Sequence, residues 1–286
     1  MLKGQAMKKR LLIIIFILCC FSGGFLVRGQ FTPQELVQRE QWEEFLKTAD
    51  IIKYERIGEG VTKPWKLYLK KGDIEKKAAW KNVDRDLGGG ARDSWKYEIA
   101  AYRLDKLIGL NMVPPAVERD FRGKKGALSL WADSQYNALE IMDQGIKIPE
   151  SAGKQYDDMK YIARLWHCLI ANDDPTQQNT LYTEDWRTIL IDHSRAFRSN
   201  KEYTQRLVVG INGIKKNQAD GRPFLFRRVP RVLLNKIKAL GFADIKQAVG
   251  PYLTDKEIDS IIARKTLILD EIAEMIKQNG EDKVLY

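Results

Sequence analysis

The chain changes texture near its middle, and that change limits what it can fold into. Short apolar runs of strand length occur at 51–57, 65–69, 77–83, 117–121 and 127–131, with glycine-bearing turns between several of them. One helical pattern, from Asp93 or Ser94 to about Ile108, interrupts them. From residue 157 onward the apolar residues recur at helical spacing instead. Met159, Ile162, Leu165, Trp166 and Leu169 share one face, and Ile258, Ile261, Ile262, Leu269, Ile272 and Ile276 share another. Strands collected in one half and helices in the other predict an α+β fold of two lobes. The first lobe is a small antiparallel sheet with one main helix, and the second is mostly helical. The expected division is 30–131 for an N-terminal helix and the sheet lobe, and 132–286 for the hinge and helical lobe. The hinge is expected at 132–149, with some local helix.

Residues 1–29 stand apart from both lobes. Lys8, Lys9 and Arg10 precede an unbroken apolar run at 11–21, followed by Ser22, Gly23 and Gly24. A charged flank before a run of that length predicts an export signal, with a membrane anchor as the alternative if Phe25, Leu26 and Val27 extend the run. The expected location is therefore exported: periplasmic, or anchored facing away from the cytoplasm. This segment also explains half of the formal net charge of +10. Lys3, Lys8, Lys9, Arg10 and Arg28 supply five of those charges, and no acidic residue precedes Glu35. The remaining sequence mixes both signs and carries no basic face with interleaved aromatics, so no nucleic-acid partner is expected. Cys19 and Cys20 lie in the apolar run and Cys168 is alone, which excludes a disulfide framework or zinc spacing.

In order along the chain, Thr32 and Pro33 predict the start of a helix over 34–48. Gly58-Glu59-Gly60-Val61-Thr62-Lys63 links the first two strands, a turn whose backbone N–H groups could meet a phosphate. Lys81 follows Ala78-Ala79-Trp80 in the third strand, where a snorkelling edge lysine is the ordinary expectation. Residues 86–92 predict a glycine-rich loop before the main helix. Glu98 falls one turn into that helix, and Gly109 ends it. A turn at 123–126 joins the last two strands. After the helix ending at Leu169 comes the segment 172–197, NDDPTQQNTLYTEDWRTILIDHSRAF. It places Asp173, Asp174 and Asn179 before an expected hairpin, and Asp192 at the end of its second strand. Asp and Asn are common turn formers. They are also the parts required for moving a phosphoryl group with Mg²⁺: one carboxylate for the acceptor hydroxyl, and an amide and a second carboxylate for the metal. His193 and His167 have no ligand-spaced partner, so packing is their expected role. Residues 198–222 predict a polar loop. Thr254 and Glu257 predict a capping box on the last long helix, and the residues after Gly280 a frayed end.

Taken together, Gly58-Glu59-Gly60, Lys81, Glu98, Asp174-x4-Asn179 and Asp192-His193-Ser194 occur in the order found in protein-kinase-like folds. The chain resembles the atypical branch, which holds phosphatidylinositol 3/4-kinases, HipA-type kinases and secretory-pathway kinases. Residues 97–102, with Gly109 and Val113-Pro114-Pro115, resemble the helix-and-strand passage of bacterial kinase-like proteins, and residues 190–197 resemble their metal-binding strand end. The resemblance covers about residues 50–280. It implies that Lys81 contacts the α/β-phosphates of ATP and is held by Glu98, with the backbone of 58–63 (Gly58, Gly60, Thr62 and Lys63) over the phosphates. It implies Asp174 at the acceptor hydroxyl, with Asp173 a competing candidate, and Asn179 and Asp192 on Mg²⁺ or Mn²⁺. The implied activity is an ATP-dependent phosphotransferase acting on a hydroxyl of a protein, lipid or sugar. Two departures mark this chain: Pro175-Thr176 follow Asp174 where lipid-kinase-like relatives usually carry Arg-His, and the glycine loop is reduced. They keep a second expectation in play, an exported pseudokinase that binds nucleotide or a partner without turnover.

Overall fold

The computed structural model describes residues 31–58, 64–172, 174–215 and 226–286. Residues 1–29, Gly60, Thr62, Lys63 and Asp173 lie outside them, as do residues 216–222 of the expected 198–222 loop. None of the described helices is long and apolar enough to cross a membrane.

The first helix starts as its sequence requires. Thr32 Oγ1 accepts from the Glu35 N–H at 3.2 Å, and Glu35 accepts from the Thr32 N–H at 2.6 Å. The helix expected over 34–48 is divided at Gln38, giving α1 (Pro33–Val37) and α2 (Arg39–Thr48). Strands β1 (Asp50–Arg56), β2 (Trp65–Lys71) and β3 (Ile74–Lys81) form a meander. Next comes a hairpin of β4 (Asp84–Gly88) and β5 (Ala91–Ser94), which replaces the loop expected at 86–92. Gly88, Gly89 and Gly90 all take positive φ, so the glycines build a tight turn between two paired strands. Helix α3 (Lys96–Ile108) has Trp95 at its N-cap, one or two residues beyond the expected Asp93 or Ser94, and stops at Gly109 with φ +65°. Asp93 is engaged elsewhere, as described below. Strands β6 (Ala116–Phe121) and β7 (Lys124–Leu130) are joined by two residues, Arg122 and Gly123, both at positive φ. That turn is shorter than the expected 123–126, because Phe121 already pairs with Lys124.

The main sheet is antiparallel throughout, in the order β1-β2-β3-β7-β6. Strand alternation divides its side chains between two faces. Leu67, Leu69, Ala78 and Trp80 pack with Val117, Phe121 and Leu128 against Phe45, Leu46 and Ala49, forming a core of their own. Ala79 and Lys81, out of phase with Ala78 and Trp80, line the cavity on the opposite side. Gly126 permits the tight packing there. A Cβ on it would lie 2.4 Å from the Lys81 carbonyl oxygen and 2.7 Å from the Trp80 ring.

The expected hinge holds β8 (Tyr136–Asn137) and α4 (Ala138–Asp143), capped by Asn137. Helix α5 (Glu150–Leu169) starts two turns before the expected 157, since its first turns are largely polar and carry little periodic signal. A 3-10 turn at Gln177–Asn179 leads into β9 (Thr180–Tyr182) and β10 (Thr188–Leu190), and these complete a three-stranded sheet with β8. Then come α6 (Lys201–Gln205), α7 (Arg231–Ala239), α8 (Phe242–Val249), α9 (Asp255–Asn279) and α10 (Glu281–Val284). The Thr254–Glu257 capping box is present on α9. The chain end is docked and does not fray. Val284 and Leu285 are buried, and the Arg231 N–H donates to the Tyr286 carbonyl at 2.8 Å. One large core unites α3 with these helices, through Ile99, Tyr102, Leu165, Trp166, Ile261 and Ile268 among others.

Candidate active site

Strand β3 ends on Lys81, α3 begins just before Glu98, and β10 ends just before Asp192. Packing α3 between the sheet and the helical core brings the three together. Lys81 Nζ donates to Glu98 Oε1 and to Asp192 Oδ1, both at 2.7 Å. The lysine and glutamate side chains are 12% and 7% exposed, whereas Asp192 is 40% exposed. Asp192 is therefore the member that meets the open cleft. The second oxygen of Glu98, Oε2, accepts the His193 N–H at 3.2 Å, so one glutamate fixes both the lysine and the turn that carries Asp192.

The electrostatics follow from this arrangement. Burial disfavours the charged form of Lys81, but the Glu98 and Asp192 carboxylates outweigh it and hold the ammonium pKa above its usual value. Burial raises Glu98, and the nearby Asp192 charge adds to that rise against the opposing pull of Lys81. Burial acts the same way on Asp192, where Lys81 prevails and leaves the carboxyl below its usual range. Asp192 has φ +60°, a sparsely populated conformation for a residue with a side chain. His193 is fully buried and accepts a hydrogen bond from the Trp166 indole N–H at 3.2 Å. Burial holds its pKa down to about 4, so it packs as a neutral ring.

A cavity of about 370 Å³ opens beside this cluster. Ile57, Pro64, Ala79, Lys81 and Glu98 line one side, Ser129 to Ala132 the back, and Gln178, Asn179, Leu181, Leu190 and Asp192 the other side. Apolar side chains make up most of this lining, and Lys81, Glu98 and Asp192 are its charged members. A larger cavity of about 580 Å³ lies across the Leu130–Ala132 segment and contains none of the Lys81 cluster.

Asn179 enters the cavity from the 3-10 turn, and its carbonyl accepts the Ile191 N–H at 3.0 Å, which ties it to the strand that delivers Asp192. Its side-chain amide makes no hydrogen bond to another described residue. Among the described residues no group of three His, Cys, Asp or Glu could hold a metal by itself. The donor set of one half-exposed carboxylate and one amide suits a hard cation that takes its remaining ligands from phosphate oxygens.

Asp174 does not line this cavity. Its N–H donates to Asn172 Oδ1 at 3.2 Å, and its Oδ2 accepts from Arg195 Nη1 at 3.0 Å. Gly58 follows the first strand, and a Cβ added to it would meet no atom within 4 Å. The role of Arg195 and the β4–β5 hairpin went unread in the sequence, and Gly126, expected in the 123–126 turn, lies within the last strand of the sheet lobe.

No protein-family model matches the chain, and no curated protein matches its sequence. Solved structures do match its fold. The structure of hydra Fam20 with sugar aligns at a TM-score of 0.60 and 16% identity, covering 91% of this chain and 95% of that one. The Golgi casein kinase aligns at 0.59 and 14%, covering 90% and 80%. The Helicobacter pylori proinflammatory kinase CtkA aligns at 0.50 and 11%, covering 82% and 96%. The fold is thus that of the atypical kinases, with a sheet lobe and a helical lobe around the cavity just described.

Proposed function

We propose that the chain is an ATP- and divalent-metal-dependent phosphotransferase that transfers the γ-phosphoryl group to a hydroxyl of a protein, lipid or sugar. The observation that carries this reading is Lys81, held at 2.7 Å from both Glu98 and Asp192 in the lining of the cavity. A lysine locked this way is a fixed cation for phosphate oxygens, and Glu98 keeps it aimed. The apolar lining suits a nucleobase. Asn179 and Asp192 would hold Mg²⁺ or Mn²⁺. Bound there, the cation supplies charge neutralisation on the phosphates. Asp174 orients the acceptor hydroxyl and accepts its proton. The hydroxyl oxygen forms the new bond to Pγ as the bond from Pγ to the β-phosphate oxygen breaks, and ADP leaves. The names of the neighbouring structures pair this fold with a sugar and with casein, which favours a sugar or protein hydroxyl over a lipid one. A Golgi kinase among them agrees with export through residues 1–29.

The second reading is a nucleotide-binding protein without turnover. It draws on Asp174, which lies outside the cavity lining and already has Arg195 on its carboxylate. Thermal unfolding with Mg-ATP or Mg-ADP separates these readings from others. Both predict a rise in Tm that Asp192→Ala removes, and the absence of any rise with either nucleotide would overturn both. Release of γ-phosphate from Mg-ATP, lost in Asp174→Asn, then separates turnover from binding alone.

A further inference from the structure

Asp174 sits in a loop that gives its carboxylate little local support. The main-chain ties are Asp174 N–H to Asn172 Oδ1 and Thr176 N–H to the Asp174 carbonyl at 3.0 Å, and neither touches the side chain. Pro175 adds no N–H. The side chain that does grip the carboxylate arrives from a distant part of the sequence, Arg195, three residues past Asp192. Its Nη1 lies 3.0 Å from Asp174 Oδ2, and its Nε lies 3.6 Å from Asp93 Oδ2.

Asp93 is fully buried on β5. Its Oδ2 also accepts from Arg85 Nη2 at 3.0 Å, and its Oδ1 has no partner among the described residues. A buried carboxylate between two arginines has a definite position, which it passes on to Arg195. The backbone reinforces this. The Ser94 N–H donates to the Ser194 carbonyl at 2.8 Å, so β5 is bonded to the residue just before Arg195. At the hairpin tip Gly90, with φ +79°, meets Asn200 so closely that a Cβ there would lie 3.1 Å from the Asn200 Cβ. The β4–β5 hairpin is thus in contact with the segment after Asp192 at three points, and none of Arg195, Asp93 or Arg85 lines the nucleotide cavity.

We infer that Arg195 is a positioning residue for Asp174, and that the β4–β5 hairpin, through Asp93, is the brace that aims it. The inference rests on Asp174 as the residue that meets the acceptor. With Oδ2 held by the guanidinium, the rotamer is fixed and Oδ1 is left to accept the hydroxyl proton. Arginine suits this place because its planar guanidinium presents separate donors, Nη1 toward Asp174 and Nε toward Asp93, in one rigid fork.

The test uses Arg195→Met, Arg195→Lys and Asp93→Asn in the full chain, with Mg-ATP as substrate and water as the acceptor. Arg195→Met is expected to lower kcat by about 10–100-fold, the loss typical of a misplaced catalytic group, with KM for Mg-ATP within about twofold. Arg195→Lys is expected to recover part of kcat, and Asp93→Asn to lose less than Arg195→Met does. Adding Asp174→Asn to Arg195→Met is expected to cost less than the same change costs the wild type. A second readout needs no turnover: amide hydrogen exchange without nucleotide, expected to quicken in residues 172–179 of Arg195→Met while α9 keeps its protection. Unchanged exchange there overturns the inference, as does a kcat loss matched by a rise in KM for Mg-ATP. If wild type binds Mg-ATP without turnover, the phosphotransferase reading fails while the exchange result still decides the role of Arg195.

Discussion

Replacing Lys81 by Met offers a test of the site in which the chemistry need not be assayed. The substitution keeps a long side chain in β3 and removes the cation that lies 2.7 Å from both Glu98 and Asp192. Exposure decides which carboxylate suffers. Asp192, at 40%, can turn to water, whereas Glu98, at 7%, is left buried beside a like charge. Removing one partner of a buried pair typically destabilises by ~3–5 kcal/mol. Glu98 keeps its hydrogen bond from the His193 N–H, so the lower end, about 3 kcal/mol at pH 8, is expected. The pH dependence is the sharper part. Burial and Asp192 already raise the Glu98 pKa against the pull of Lys81, and without Lys81 nothing of that size opposes them. A folded-state pKa above the unfolded one gives stability that is complete below the unfolded value and is lost as pH rises through the folded value. The gap between wild type and Lys81→Met should therefore widen from pH 5 upward, at a slope of up to about 1.4 kcal/mol per pH unit, and then level off. Urea unfolding followed by tryptophan fluorescence at pH 5 to 8.5 measures this. Titrations that Lys81 does not influence cancel in the difference, whereas that of His193, which Lys81 helps to hold low, does not cancel fully. Adding Glu98→Gln to Lys81→Met should flatten the dependence and restore part of the loss at pH 8. A gap of the same size at pH 5 and pH 8, or no recovery in the double variant, refutes the reasoning.

Three further outcomes are expected. Gly126→Ala places a Cβ against the Lys81 carbonyl and the Trp80 ring, neither of which yields easily, so it should destabilise by ~1–3 kcal/mol and weaken the Tm rise with Mg-ATP. Arg264 is fully buried and its Nε and Nη1 donate to the carbonyls of Leu169 and Arg198, so Arg264→Met should lose ~2–4 kcal/mol in urea unfolding by stranding those acceptors. His193 and His167 are held neutral by burial, at about 4 and about 3. Their lowered values mean that stability is full above the unfolded value near 6.5 and declines as pH falls toward 4, by up to about 1.4 kcal/mol per pH unit for each. Urea midpoints at pH 7 and pH 5 in wild type and His167→Gln measure the smaller slope expected of the variant.

Local signals were read well from the sequence, and contacts between distant segments poorly. Thr32 and Thr254 announce helix starts because a capping box is complete within four residues. Ala78-Ala79-Trp80 alone suited an edge lysine at Lys81, and only the order of Glu98, Asp174, Asn179 and Asp192 after it pointed to a cleft. The 86–92 segment misled because three consecutive glycines suit an open loop as well as the turn of a hairpin. The pairing that decides between them, Asp84 with Ser94 and Arg85 with Asp93, involves polar residues with no strand pattern. Arg195 was invisible for a related reason. Its partners Asp174 and Asp93 lie 21 and 102 residues away, and no spacing rule links them. The docked C-terminus depends on backbone bonds between Val229 or Arg231 and Tyr286, which leave no mark on composition.

The distribution of backbone strain argues that 172–197 is built for something other than stability. Six described non-glycine residues have positive φ, and four of them, Ala171, Trp186, Asp192 and Phe197, lie within this segment or at its edge. Each costs ~1 kcal/mol or more relative to an ordinary conformation. The surrounding structure holds two of them in place: the Phe197 N–H donates to the Ile170 carbonyl at 2.5 Å, and Glu98 holds the turn after Asp192. The ion cluster gives the same indication, because a buried lysine between two carboxylates adds little to stability compared with apolar side chains of the same volume. Strain and buried charge therefore coincide at one place, the Asp192 turn. A well-packed apolar trio there with relaxed backbone would give a more stable protein but would leave no half-exposed carboxylate aimed into the cleft. That carboxylate is what the fold maintains at the expense of stability, and it is the group a phosphate-bound cation would meet first.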